Sequence, residues 1–508
     1  MVVRWVKLAW RWLTSMRTAL VLLFLLALGA IPGALLPQRS LNQTKVQEFL
    51  DTGGRVAEIY DRLQLFDVFS SQWFTAIYVL LFISLIGCII PRSVEHYRAY
   101  RRPAVAAPKN LARLPHHAAG DVDGDAESLV RDAATQFRGW KTTIVAPEQD
   151  RAGGWSLSAE KGYTRELGNL VFHLGIVGIL ASMGFGKLIA YEGQVIVIAD
   201  GSQFCNTAVA NFDDMRGGAL FDGTTLNPFC VQVEDFTADY LPNGQAEQFT
   251  SHIAYAEGEG VFAPVEDWST YTLRVNHPLR LGGDRIYLQG HGFAPTVTVT
   301  WPGGEQRTQT IQFRPDDATT FLSSGVLRFD PPAGMYPDPY ERRQHQLAIQ
   351  GLFAPTAHFE GTLLTSAYPA LTNPALAVDI YRGDVGLDSG KGQNIFSLDS
   401  AQLHSGALQK IDRVNLTAGE TVTLDDGTTV TFDGAKEFVN LQISHDPTQI
   451  WVLVSAVAMV GGLVTSVLVK RRRIFVRVKD GRMEVGGLSR TDAAGWGEEF
   501  QRISAALL

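Results

Sequence analysis

Four long apolar runs interrupt a chain that otherwise alternates in short steps. They cover residues 18–36, 73–90, 167–190 and 450–469. A helix needs about 20 mostly apolar residues to cross about 30 Å of hydrocarbon, and each run approaches or meets that length. The pattern predicts four spanning helices. Pro32 is expected to kink the first near its end, which a bundle accommodates. No small-residue cleavage site follows that run, so it reads as a span and not as a signal peptide. Residues 1–17 ahead of it mix Trp5, Trp10 and Trp12 with basic residues, the pattern of an interfacial amphipathic helix.

Between the third and fourth runs the period changes to two. Segments 194–199, 271–275, 285–289 and 296–300 are short, rich in β-branched residues and bounded by Gly, Pro, Asn or Asp. They predict an all-β, sandwich-like domain over residues 191–449, with one short helix near 369–377. The 91–166 loop predicts a small α/β module: a helix over 125–137, then strands at 141–145 and 154–159. The tail, 470–508, opens with IFVRV and GRMEVGG, which predict a hairpin. The fold class is thus an α+β membrane protein, with residues 37–72 as a loop between the first two spans.

Charge orients this arrangement. Arg4, Lys7, Arg11 and Arg17 precede the first run; Arg92, Arg98, Arg101, Arg102, Lys109 and Arg113 follow the second; Lys470, Arg471, Arg472 and Arg473 follow the fourth. The loop between runs one and two has four basic and five acidic residues. Basic residues stay in the cytoplasm, so both termini and the 91–166 module are expected inside a plasma membrane and the 191–449 domain outside. Residues 189–449 carry 14 Lys/Arg against 32 Asp/Glu, a balance of −18, within a chain whose net charge is −8. So acidic a domain repels phosphate, which excludes a simple nucleic-acid-binding protein.

Candidate chemistry is sparse. Three cysteines exclude a disulfide scaffold. Cys205 and Cys230 fall in the outer domain, where oxidation is permitted, and are expected to form one structural disulfide. Cys88, in the second run, is expected to be inert packing. No P-loop, dinucleotide fingerprint or nucleophile elbow is present, and no three ligands have zinc-like spacing. His116 and His117 pair without a second ligand cluster, His277 and His291 lie on turn-rich β segments, and His445 before the fourth run reads as a helix cap or as facing the outer leaflet. His173 differs, because it lies about 10 Å past the start of the third run. An ionisable group at that depth is costly, and neutral imidazole is a common haem-iron ligand. Gly168, Gly175, Gly178 and Ala181 nearby admit a helix or a flat macrocycle. Chemistry alone leaves two roles open, iron ligand or cross-bundle hydrogen bond.

Several stretches resemble ResB-type (Ccs1-type) cytochrome c biogenesis proteins of system II. They are LTSMRTAL at 13–20 with IPGALLPQ at 31–38, EKGYTRELGNLVFH at 160–173, VNHPL at 275–279, and 441–447. The order of spans and outer domain matches over nearly the whole chain. Cys205 and Cys230 with Asn211-Phe-Asp213 resemble the actinobacterial branch. The resemblance implies a subunit of a holocytochrome c synthase complex, non-catalytic alone. It implies a multi-spanning ResC/CcsA-type partner, haem b as transient cofactor, and apocytochrome c, with its CxxCH motif, as recipient. It maps an axial haem ligand onto His173. Lys161 and Arg165 flank the entrance and are expected to meet the propionates. The alternative is a scaffold that holds partner or apocytochrome without ligating haem. A stand-alone haem oxidoreductase is disfavoured, because it needs two ligands at depth.

Overall fold

The computed structural model describes residues 2–40, 43–390, 392–489 and 495–508. They form two compact units, one of Met1–Phe185 with Thr448–Leu508, the other of Gly186–Pro447.

The first unit contains the apolar helices Met16–Leu35, Gln72–Arg101, Thr164–Ile189 and Gln449–Leu468, each long and apolar enough to cross a membrane. Only 6–17% of each apolar window is buried within the chain, so these surfaces require a non-aqueous surround. The first helix runs through Pro32 without ending, and Leu36 N–H donates to the Pro32 carbonyl. The second outlasts its apolar run, continuing through Pro91 to Arg101. Val2–Leu13 forms a separate helix with Trp5, Trp10 and Trp12 exposed. Residues 37–72, expected as a loop, hold helices Gln43–Thr52 and Gly54–Arg62. Cys88 donates its thiol to the Thr14 carbonyl at 3.0 Å.

The same unit carries a five-stranded antiparallel sheet in which His116–Asp121, Arg482–Ser489, Arg472–Lys479, Trp155–Lys161 and Lys141–Val145 are successive neighbours. The tail hairpin therefore sits inside the sheet of the 91–166 module. Its turn is Asp480-Gly481, both with positive φ, which suits the twist of a two-residue hairpin. Helices Ala126–Thr135 and Trp496–Leu507 supply apolar faces to it: Val130, Ala133, Trp496 and Phe500 share a core with Leu157, Ile474, Val476 and Val485.

The second unit is built on two 17-residue strands, Asp284–Thr300 and Thr429–His445, paired antiparallel from Asp284↔His445 to Thr300↔Thr429. One half of this pair packs Ile286, Leu288, Val439, Leu441 and Ile443 against Phe229, Val231, Val233, Ile253 and Leu273 of a four-stranded sheet. The other half packs Phe293, Val297, Val299, Val430 and Phe432 against Leu327, Ile349, Phe353, Val378 and Ile380 of a five-stranded sheet. Two cores share one spine, and each fully buried Phe, Leu or Ile contributes roughly 1.5–3 kcal/mol. The expected short helix at 369–377 is absent. That segment forms bends leading into strand Ala375–Gly383, and Pro374 immediately precedes that strand, which suits an extended chain. Cys205 and Cys230 are disulfide-bonded between paired strands.

Candidate functional site

The third apolar helix is set in place at its base by the 160–166 segment. Glu160, the last residue but one of strand Trp155–Lys161, has its side chain fully buried. Its Oε1 lies 2.7 Å from Arg473 Nε in an ion pair and accepts from Val105 N–H at 3.3 Å, and its Oε2 accepts from the Tyr163 hydroxyl. Arg471 reaches Glu160 at 3.4 Å and Glu166 at 2.8 Å, with its guanidinium 4.6 Å from the Tyr163 ring centre. Burial alone would raise the Glu160 carboxyl. Tyr163, Arg473, the Val105 N–H and Arg471 outweigh it and hold the group below its ordinary range. Gly162 has φ +93°, and a Cβ there would lie 2.3 Å from the Lys470 carbonyl. Only glycine fits between the strand, the helix start and the segment leaving the fourth helix.

Along the helix, the glycines form one face. Cβ atoms added at Gly168, Gly175 and Gly178 would meet the Gly462 carbonyl at 2.8 Å, Met459 at 2.7 Å and Ser455 Oγ at 2.5 Å. The fourth helix thus occupies the small-residue face, leaving no room there for a macrocycle. This is close backbone packing of the kind that joins helices in lipid.

His173 follows Gly168 by five residues, about 140° around the helix, and so points away from the fourth helix. Its ring is half-exposed, and Nδ1–H donates to the Asn169 carbonyl at 2.7 Å. The Phe172 ring meets it edge-on at 5.1 Å. Among the described residues nothing bonds Nε2. The hydrogen bond fixes the tautomer, because a carbonyl can only accept, so neutral His173 presents its lone pair from Nε2. Seven residues on, the same face is met by the second helix: Tyr78 donates to the Leu180 carbonyl and packs beside Gly184.

Lys161 and Arg165 are not gathered around this ring. Lys161 ends its strand with Nζ 5.7 Å from the Trp140 ring centre. It lines a cavity of about 450 Å³ with Gly162, Thr164, Leu468, Val469, Lys470 and Arg472, beside the end of the fourth helix. Arg165 lies on the helix two turns before His173.

The remaining histidines have other surroundings. His116 packs on Trp496 and Phe500, and His277 sits exposed in a turn after Asn276. His291 is buried among Phe236, Phe249 and Phe321 with Nε2 2.7 Å from the Tyr240 hydroxyl; burial pulls it down to about 4. His445 meets Asp284 and Tyr191, partners invisible in the sequence because Asp284 is 161 residues away. No group of three His, Cys, Asp or Glu side chains able to hold a bare metal ion occurs among the described residues.

Sequence comparison finds related proteins. The cytochrome c biogenesis protein CcsB of Synechococcus sp. (strain WH7803) is 28% identical over 302 residues, 56% of this chain and 61% of that protein. Its namesake in Nostoc sp. (strain PCC 7120 / SAG 25.82 / UTEX 2576) is 28% identical over 287 residues, 56% and 58% of the two chains. That of Prochlorococcus marinus (strain MIT 9312) is 19% identical over 501 residues, 97% and 96% of the two. The matched segments thus span a little over half the length of the first two relatives and nearly all of the third. A profile of the ResB-like family matches residues 16–501, and the chain belongs to that family.

Proposed function

We propose that this chain is a membrane subunit of a cytochrome c maturation complex that receives haem b through His173. The observation that carries the reading is the Nδ1–H bond from His173 to the Asn169 carbonyl, which leaves Nε2 free on a helix face the fourth helix does not cover. An imidazole ligates iron through such a nitrogen. Haem b is cargo here, held between His173 and a ligand from a ResC/CcsA-type multi-spanning partner, then attached to the CxxCH thiols of apocytochrome c outside. The basic flanks support a topology with the five-stranded sheet and both termini in the cytoplasm and the acidic β unit outside a plasma membrane, so that in this reading His173 lies on the inner, entry side. Lys161 and Arg165 supply positive charge at that entrance, and Lys161 acts from the cavity it shares with Lys470. The acidic outer unit attracts basic segments of apocytochromes, an effect screened by salt.

The test is the haem content of the complex purified with its partner. His173→Ala is expected to lower it sharply, and added imidazole to restore it. Haem occupancy unchanged by His173→Ala would leave the scaffold reading in its place.

A further inference from the structure

Strand ends of the β unit converge on a buried carboxylate. Asp284, at the start of one spine strand, is fully buried. Its Oδ1 accepts from the Tyr191 hydroxyl at 2.7 Å and from His445 Nδ1–H at 2.7 Å; its Oδ2 accepts from Asn206 Nδ2 at 3.3 Å. Tyr191 and Asn206 are themselves 3% and 0% exposed. Burial pushes the Asp284 carboxyl up from its ordinary range, and the Tyr191 and His445 donors pull it back. Tyr191 also stacks on the His445 ring, at 5.3 Å and 10° between planes.

The outcome is one imidazole with its orientation and tautomer fixed. In the neutral ring Nδ1 is the donor to Asp284 and Nε2 bears the lone pair, and the side chain remains 23% exposed. Among the described residues no group bonds Nε2. Gly283, in the turn before Asp284, keeps the neighbouring ring edge clear: a Cβ there would sit 3.2 Å from His445 Cε1.

A carboxylate that holds the far nitrogen of a histidine is the usual outer-shell support of a metal ligand. A bare ion needs three or more protein ligands, and the described residues offer no such group. A single oriented imidazole suits a metal that brings its other ligands with it. We propose that His445 Nε2 is an axial ligand for an iron porphyrin on the β unit, with Asp284 as its positioning residue. This site is separate from His173 in sequence and unit, and stands on its own geometry.

The test uses the full chain in detergent and ferric haem as the probe, read by the Soret shift of imidazole ligation. His173→Ala removes the membrane histidine from the measurement. That protein is expected to bind haem saturably, and His173→Ala with His445→Asn to lose the shift. Asparagine keeps a donor for Asp284, so the fold is preserved while Nε2 is removed. Asp284→Asn in the His173→Ala background is expected to weaken binding about 10- to 100-fold. Imidazole added to a His173→Ala/His445→Gly protein is expected to restore the shift. Haem binding by His173→Ala that is absent, or that His445→Asn leaves unchanged, overturns the proposal. Failure of the His173 reading appears elsewhere, as unchanged haem in the partner complex carrying His173→Ala.

Discussion

Arg473 Nε lies 2.7 Å from Glu160 Oε1, a contact that joins the strand before the third apolar helix to the strand after the fourth. The Glu160 side chain is fully buried and that of Arg473 is 29% exposed. Loss of the carboxylate leaves Arg471 and Arg473 without their shared partner. Glu160→Ala is expected to cost about 2–4 kcal/mol, below the upper range for a buried pair because the arginines reach solvent. Thermal unfolding in detergent measures it. Glu160 is also an acid-sensitive point. Its carboxyl is depressed in the folded chain, so its stabilisation is complete above the unfolded value and fades as pH falls through the folded one. Wild type is expected to lose stability below about pH 4.5, and Glu160→Gln to lose less over that range.

His291 sets a second pH dependence, with the sign of a buried neutral base. Above about 6.5 the ring is neutral in both folded and unfolded chains. Below that, the unfolded chain takes up a proton that the folded chain refuses until about 4. Stability of the β unit therefore falls between these values, by at most about 3 kcal/mol. His291→Phe is expected to flatten this part of the profile, as followed by circular dichroism melting from pH 7 to pH 4.

Reduction of the Cys205–Cys230 bond frees a loop whose ends are 25 residues apart. Chain entropy then predicts a loss of about 3 kcal/mol. The double Ser variant is expected to melt lower than the oxidised wild type and to match the reduced one. Both are expected to keep the same His173-dependent haem content in the partner complex.

The glycine face of the third helix predicts a packing defect. Gly175→Leu drives a side chain into Met459, whose backbone nitrogen is 2.7 Å from the added Cβ. Thermal unfolding in detergent is expected to shift clearly downward for Gly175→Leu, whereas Leu174→Ala, on an exposed position, leaves it nearly unchanged.

The sequence made the apolar helices legible because lipid demands an unbroken run, and made many β segments legible because their β-branched residues alternate. It did not reveal strand His116–Asp121, whose HHAAGD lacks β-branched residues and is held by pairing with Arg482–Ser489. Nor did it reveal that the tail completes the sheet of the 91–166 module, since Arg473↔Glu160 pairing is a long-range register. Helices Gln43–Thr52 and Gly54–Arg62 were missed because they are short and carry no long apolar period. Of the site, His173 stood out through its cost in lipid. Its partner Asn169 is one helical turn back and readable in retrospect. The small-residue face was legible as a place of close approach, but only packing shows that the fourth helix takes it.

If His173 Nε2 ligates haem iron, the haem content of the complex purified with the proposed multi-spanning partner depends on that one ring nitrogen. Haem per complex is expected to be full in wild type, to fall sharply in His173→Ala, and to recover with imidazole. Equal haem in wild type and His173→Ala would contradict that ligation.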